Sequence, residues 1–211
     1  MPALGAGGRE FESLIRDQFI KMIPQQLADY VRVYDNILTP EECRAIVFQL
    51  ETAAWEKHKF YNILSDRRFS TDTELDISWE RIFSTQTIQD RLWNAIKRYI
   101  IDDFAAFAQW FDGWKSYSAV RYNRYQPGTE MRLHCDHIHD LFDGTKRGIP
   151  VLSIVGALND NYIGGEFVMW EDTVIDIAPG SVLIFPSIFM YPHAVRPVTQ
   201  GTRYTYVSWV Y

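Results

Sequence analysis

Cysteine is scarce: the 211 residues contain two, Cys43 and Cys135, which argues against a disulfide framework and favours a reducing cytoplasm. Basic charge is short as well, with 21 Lys and Arg against 27 Asp and Glu, a net charge of -6. That balance opposes docking on a phosphate backbone, so nucleic acid is not an expected partner. No apolar run approaches the length of a membrane span. The chain opens Met1-Pro2-Ala3-Leu4-Gly5 and moves straight into charge, without the basic-then-apolar layout of a secretory leader. Repeats and low-complexity tracts are lacking.

What is abundant is apolar bulk: 47% of the positions are hydrophobic, enough to bury one substantial core. The front half reads as helical. Leu14, Ile15, Phe19 and Ile20 fall near helical spacing between about Phe11 and Leu27, with Pro24 limiting continuation. A β-prone stretch, Tyr30 to Tyr34, precedes Thr39-Pro40-Glu41-Glu42. There Thr39 can cap, Pro40 suits the first helical position and Glu42 completes a capping box, which predicts a helix from Pro40 to about Ala54. The stretch between Tyr61 and Phe83 is polar and reads as a loop, functional or simply solvated. A long helix is predicted from Thr87 to Phe111, because Ile88, Leu92, Ile96, Tyr99, Ile100, Phe104 and Phe107 lie along one stripe.

After Gly113 the pattern becomes short β-branched and aromatic runs divided by turn residues: 117–125, 151–158, 166–170, 173–177, 181–185 and 203–211. Many short strands behind a helical front imply a mainly β, α+β fold, a jelly-roll barrel (a double-stranded β-helix, cupin-like) braced by helices. The expected organisation is a single catalytic domain over 1–211, with 1–112 supplying helical support and first strands and 113–211 the jelly-roll core.

Within that core stand His134-Cys135-Asp136, then His193, then Arg203 ten residues on. Side chains two apart on a strand share a face, so His134 and Asp136 can both enter a barrel while Cys135 points away. His193, at the edge of a distant strand, is the best third donor. Two imidazoles and one carboxylate form the facial triad of a non-haem Fe(II) oxygenase, and they leave open positions for a bidentate 2-oxo acid and O2. Alone, a His-x-Asp is weak, since a surface pair at a strand end explains it equally; Arg203 alone reads as an exposed arginine. His137 and His139 offer a rival ligand set, but strand parity turns them away from His134, and a surface or supporting role is preferred. Cys135 reads as a packing residue. No motif surrounds His58.

The surrounding segments resemble the 2-oxoglutarate- and Fe(II)-dependent oxygenases, most closely the prolyl 4-hydroxylase-like branch. They run in order: Arg124-Tyr125-Gln126-Pro127-Gly128, His134-Cys135-Asp136, Leu158-Asn159-Asp160, Gly164-Gly165-Glu166-Phe167, Pro179-Gly180-Ser181, Leu183 to Ser187, His193 to Val198, and Gly201-Thr202-Arg203-Tyr204. The resemblance covers about Tyr117 to Trp209 and implies that His134, Asp136 and His193 hold Fe(II). It further implies that Arg203 binds the far carboxylate of 2-oxoglutarate, that Tyr125 contacts the same cosubstrate, and that Trp209 walls the site. Arg203 shares strand parity with Thr205, Val207 and Trp209, so Thr205 joins the expected pocket wall. Two positions depart from the family: Ala157 replaces an aromatic residue that often contacts 2-oxoglutarate, and Met131 replaces a common tyrosine. The stretch from Arg67 to Asp76 falls where prolyl hydroxylases close a loop over substrate.

The implied chemistry consumes 2-oxoglutarate and O2, releases succinate and CO2 and hydroxylates an unactivated C–H bond, with ascorbate a possible stimulant. Three readings stay open: a hydroxylase of a protein or peptide, on proline first; a hydroxylase of a free amino acid or other small molecule; and a non-catalytic metal-binding barrel. Oligomeric state is not encoded in any motif.

Overall fold

A computed structural model of the protein describes residues 24–62, 67–109, 117–136 and 150–211. The helix expected from Phe11 lies outside them except for its end, where Leu27–Tyr30 forms a 3-10 turn. The front half continues with β1 (Arg32–Tyr34), α1 (Pro40–Leu50), β2 (Glu56–Lys57), β3 (Phe60–Asn62), β4 (Arg67–Phe69), β5 (Asp76–Ser78) and α2 (Thr85–Lys97). Then follow β6 (Arg121–Tyr125), β7 (Met131–His134), β8 (Leu152–Ala157), β9 (Tyr162–Gly164), β10 (Phe167–Met169), β11 (Thr173–Ile175), β12 (Val182–Pro186), β13 (His193–Val195), β14 (Val198–Gly201) and β15 (Arg203–Val210).

The capping box forms as expected: Glu42 N donates to Thr39 Oγ1 at 3.2 Å and Thr39 N donates to Glu42 Oε2 at 2.8 Å. Helix α1 ends at Leu50, four residues before the predicted end, because the Trp55 indole donates to the Leu50 carbonyl at 3.2 Å and Ala54 N turns away to Glu80. The long second helix is likewise interrupted. After Lys97 it widens into a π-helical stretch, Arg98–Asp103, in which Phe104 N donates to Tyr99 O at 3.1 Å. In an α-helix residues five apart lie roughly 140° away from each other. The i→i+5 winding brings them closer, which lets Tyr99 and Phe104 both bury and pack ring against ring at 4.6 Å.

Seven strands form a sheet in the order β1-β12-β8-β15-β6-β5-β2, and four form a second in the order β11-β10-β13-β7. Pairings within both are antiparallel. From β6 onward the chain alternates between them: β6, β8, β12 and β15 in the large sheet, β7, β10, β11 and β13 in the small one. The architecture is mainly β with helices on one side; among the described strands no ladder joins the two sheets into a closed ring. The polar stretch read as a loop contains strands. β4 pairs with β3, and β5 is a buried strand hydrogen-bonded to β6 in the large sheet. Its polarity hid it: Asp76 is buried because Arg124 reaches it at 3.0 Å and Lys57 at 3.1 Å, and a paired charge tolerates burial that a lone one does not.

The large sheet therefore has two cores. On its helix side, Ile46 and Leu50 of α1 and Ile88, Leu92 and Ile96 of α2 pack with Tyr122, Ile154, Ile184 and Tyr206. Between the sheets, Leu183, Phe185 and Val207 meet Phe167, Met169 and Val195. Among the described residues no helix is long and apolar enough to cross a membrane.

Candidate metal centre

His134 and His193 face each other across the β7–β13 ladder as register partners, their rings 4.4 Å apart. Sequence parity placed Asp136 on the same strand as His134, but β7 ends at His134 and Asp136 sits in the bend beyond it. The turn still delivers the carboxylate: Asp136 Oδ1 lies 3.4 Å from His134 Nε2 and 3.7 Å from His193 Nε2. One donor atom from each of the three residues falls within 4.8 Å of the others. Cys135 is free, and its thiol donates to the Phe189 carbonyl at 3.4 Å. His137 and His139 lie outside the described residues.

Both imidazoles are oriented by backbone. His134 Nδ1 lies 2.8 Å from the Arg132 carbonyl and His193 Nδ1 lies 3.1 Å from the Tyr191 carbonyl, each two residues back. A carbonyl only accepts, so Nδ1 carries the proton and the Nε2 lone pair is left facing Asp136. Phe167 stacks on His193 at 5.3 Å and Phe185 meets it edge-on at 5.0 Å. Burial, with His134 beside it, lowers the His193 pKa to about 4 against the opposing pull of Asp136, so it is neutral at pH 7. Burial works against ionised Asp136, but the neighbouring imidazoles and the Ser153 hydroxyl outweigh it and hold the carboxyl well below its usual range. Ser153 is fixed in turn by Ser187 at 2.6 Å. Two imidazoles that turn Nε2 toward an anionic carboxylate form a donor set suited to a divalent cation.

The triad opens onto a cleft with about 390 Å³ of space, part of it exposed to solvent. Arg203, Val207 and Trp209 of β15 line it beside Arg121, Asn123 and Tyr125 of β6. Thr205 shares their strand face and is buried, but it does not line the cleft. The Arg203 guanidinium lies over the Tyr125 ring at 5.0 Å, and its Nε donates to the Tyr162 hydroxyl at 3.2 Å. Tyr162, from β9, supplies the phenol that Ala157 does not, and the sequence carries no sign of this beyond an ordinary strand aromatic. Arg203 is 2% exposed, and its buried Nη1, like Thr205 Oγ1, has no hydrogen-bond partner among the described residues. A buried guanidinium with an idle donor is chemically matched to an anion. Gly165 makes room for it: at φ +70°, a Cβ there would sit 3.0 Å from Arg203 Cδ and 2.8 Å from Val198 Cγ2.

Sequence reasoning also missed a polar cluster beside the triad. His58 Nδ1 lies 3.6 Å from Glu74 Oε2, and Arg132, two residues before His134 on β7, binds Glu74 Oε1 at 2.7 Å. The Arg132 guanidinium lies over Phe60 at 4.8 Å and Phe69 at 5.1 Å, so it clamps the β3–β4 pair; Phe60 then meets His134 edge-on at 5.8 Å. Burial first, with Arg121, His134 and Arg132 adding, lowers the His58 pKa to about 3 although Glu74 is close, since Arg132 already engages that carboxylate.

Residues 120–211 match the model of the 2OG-Fe(II) oxygenase superfamily. Among curated proteins it is 29% identical over 130 residues to a PKHD-type hydroxylase of Synechococcus elongatus, covering 59% of this chain and 54% of the relative. A PKHD-type hydroxylase of Delftia acidovorans is 26% identical over 186 residues, covering 83% and 75%. The chain spans about half the length of the first of these relatives. Among solved structures, a Trichoplax adhaerens prolyl hydroxylase in complex with a hypoxia inducible factor oxygen degradation domain peptide fragment aligns with TM-score 0.63 at 16% identity, covering 95% of this chain and 92% of that one. A viral collagen prolyl hydroxylase from Paramecium Bursaria Chlorella virus-1 aligns with TM-score 0.59 at 16% identity, covering 86% and 95%. At such identities the shared property is the fold.

Proposed function

We propose that this chain is an Fe(II)- and 2-oxoglutarate-dependent dioxygenase that hydroxylates an unactivated C–H bond, with a prolyl residue of a protein or peptide as the first candidate substrate. The observation that carries this reading is the convergence of His134, Asp136 and His193 on one cleft with a buried Arg203 whose donor is idle. In this reading residues 1–211 act as one catalytic domain on a jelly-roll frame, which the alternation of β6 to β15 between two sheets supports. The PKHD-type relatives support hydroxylation, and the likeness in fold to prolyl hydroxylases, one of them solved with a peptide, puts a prolyl residue first. Two free thiols, Cys43 and Cys135, fit a reducing cytoplasm.

The residues fit the cofactors. His134 and His193 would hold the metal through Nε2 and Asp136 through its carboxylate, while Arg203 would take the far carboxylate of 2-oxoglutarate beside Tyr162 and Tyr125. Bound Fe(II) with O2 and 2-oxoglutarate would supply the oxidising chemistry, yielding succinate and CO2 along with the hydroxylated product. The protein's share is orientation and exclusion of water. The carbonyls of Arg132 and Tyr191 fix which imidazole nitrogen is free, Ser153 keeps Asp136 ionised and aimed, and Phe167 and Phe185 dry the inner side of His193. No side chain has to remove a proton from the substrate.

The test is conversion of 2-oxoglutarate to succinate with Fe(II) and ascorbate, screened against proline-containing peptides and free amino acids. Substrate-stimulated turnover that His193→Ala abolishes is the expected result; turnover indifferent to that substitution removes the ligand set. Stimulation by a free amino acid alone would select the small-molecule reading.

A further inference from the structure

The cleft holds a second arginine that the iron and 2-oxoglutarate leave unused. Arg121 opens β6, and β6 faces the cleft with every other residue: Arg121, Asn123 and Tyr125. Arg203 pairs with Tyr125 at one end of the β6–β15 ladder, and Val207 pairs with Arg121 four residues along. The two arginines, on neighbouring strands, thus lie on one sheet face, offset by four residues or about 13 Å along the strands. The triad side chains line the same cleft.

Arg121 is held for a purpose other than packing alone. Its Nε donates to Asn123 Oδ1 at 3.1 Å, and its guanidinium lies over the Trp209 ring at 4.9 Å. Those contacts use one edge and one face, and its terminal nitrogens make no hydrogen bond with any described residue. The group is therefore rigid and charged, and it presents the paired donors that match a carboxylate. Burial disfavours its charge, and Tyr125 and Asp136 favour it from nearby.

We propose that Arg121 anchors a carboxylate of the substrate to be oxidised, so that the substrate class is a carboxylic acid whose reacting C–H lies a few bonds from the anchored group. This rests on the oxygenase reading and narrows it. The carboxylate can belong to a free amino acid or to a peptide, and Trp209, stacked under the guanidinium, walls the same position.

The test uses calorimetric titration of protein loaded with Mn(II) and 2-oxoglutarate. The probes are the common L-amino acids, each with its carboxamide, and short proline-containing peptides, each as C-terminal carboxylate and amide. In the wild-type protein at least one carboxylate is expected to bind tenfold or more tightly than its amide. Arg121→Met should erase that preference and Arg121→Lys restore part of it. Preference confined to the amino acids identifies a free acid, and preference confined to the peptides identifies a peptide terminus. No preference for any carboxylate, or a preference that survives Arg121→Met, overturns the proposal. Mn(II) and 2-oxoglutarate are titrated into the same variant. Retained binding of both with lost carboxylate preference supports the anchor, whereas loss of Mn(II) binding would make Arg121 a partner of Asp136 and overturn it. Failure of the oxygenase reading would instead show as absent Mn(II) or 2-oxoglutarate binding in the wild-type protein.

Discussion

The two faces of the seven-stranded sheet obey different rules. Toward the helices, β8, β12 and β15 bury Ile154, Ile184 and Tyr206 against α1 and α2, and buried polar groups on that side pair with one another, Thr85 with the Tyr122 hydroxyl at 2.9 Å and Ser208 with Ser118 at 3.2 Å. Toward the small sheet the same strands bury Ser153, Arg203 and Thr205 among Phe167, Phe185 and Val195. Among the described residues the helix face has one idle buried polar atom, the Tyr206 hydroxyl, whereas the inner face has idle groups where a ligand would meet them. The helix face serves stability; the inner face gives up some of it to hold groups whose partners are not part of the chain.

Substitutions on the two faces should separate these roles. Leu92→Ala, on the helix side at 0% exposure, is expected to cost about 3 kcal/mol of unfolding free energy while leaving Mn(II) affinity of the folded fraction unchanged. Denaturant titration with parallel Mn(II) binding checks it, and a comparable loss of metal affinity would mean the two cores are not separable. Arg203→Met should do the converse. We expect 2-oxoglutarate affinity to fall about 100-fold, from loss of a buried charged contact, with stability unchanged or slightly raised because the idle guanidinium is gone. A destabilised protein that still binds 2-oxoglutarate would reverse the assignment of the inner face.

The smallest effect concerns the border of the site. His58 has its folded pKa lowered to about 3, below the roughly 6.5 of an unfolded histidine. The unfolded chain therefore takes up the proton first, and the metal-free protein loses stability progressively as pH falls from about 6.5 toward 3. Replacing His58 by Asn should reduce that slope without abolishing it, because His193, with its pKa lowered to about 4, contributes over the same range. The groups facing His58 are Glu74, Arg132, Arg121, His134 and Asp136, and an undiminished slope in His58→Asn would assign the effect to other groups.

Legibility followed the range of the interaction. The Thr39-Pro40-Glu41-Glu42 cap was readable because all its partners lie within four residues. Six of the strand runs from 117 onward became strands at or near their expected places, since alternation and turn residues are local signals. The failures were long-range. β5 was hidden because Asp76 is neutralised by Arg124, 48 residues away. The π-helical widening after Lys97 follows from the need to bury Tyr99 and Phe104 together against Tyr30. Tyr162 and Arg121 were passed over for the same reason: nothing beside them in the chain distinguishes them from other strand residues.

The order of residues by itself determined which side chains are available: two histidines, an aspartate and an arginine in a β-rich half, with glycines where the backbone must turn or make room. Only the tertiary structure decided that they meet. Strand pairing sets His193 opposite His134, a bend past the strand end carries Asp136 in, and sheet register puts Arg203 beside Tyr125. The physical reason is that spacing along a strand specifies a face, whereas proximity between strands depends on hydrogen-bonded register and on the cores that hold the sheets together.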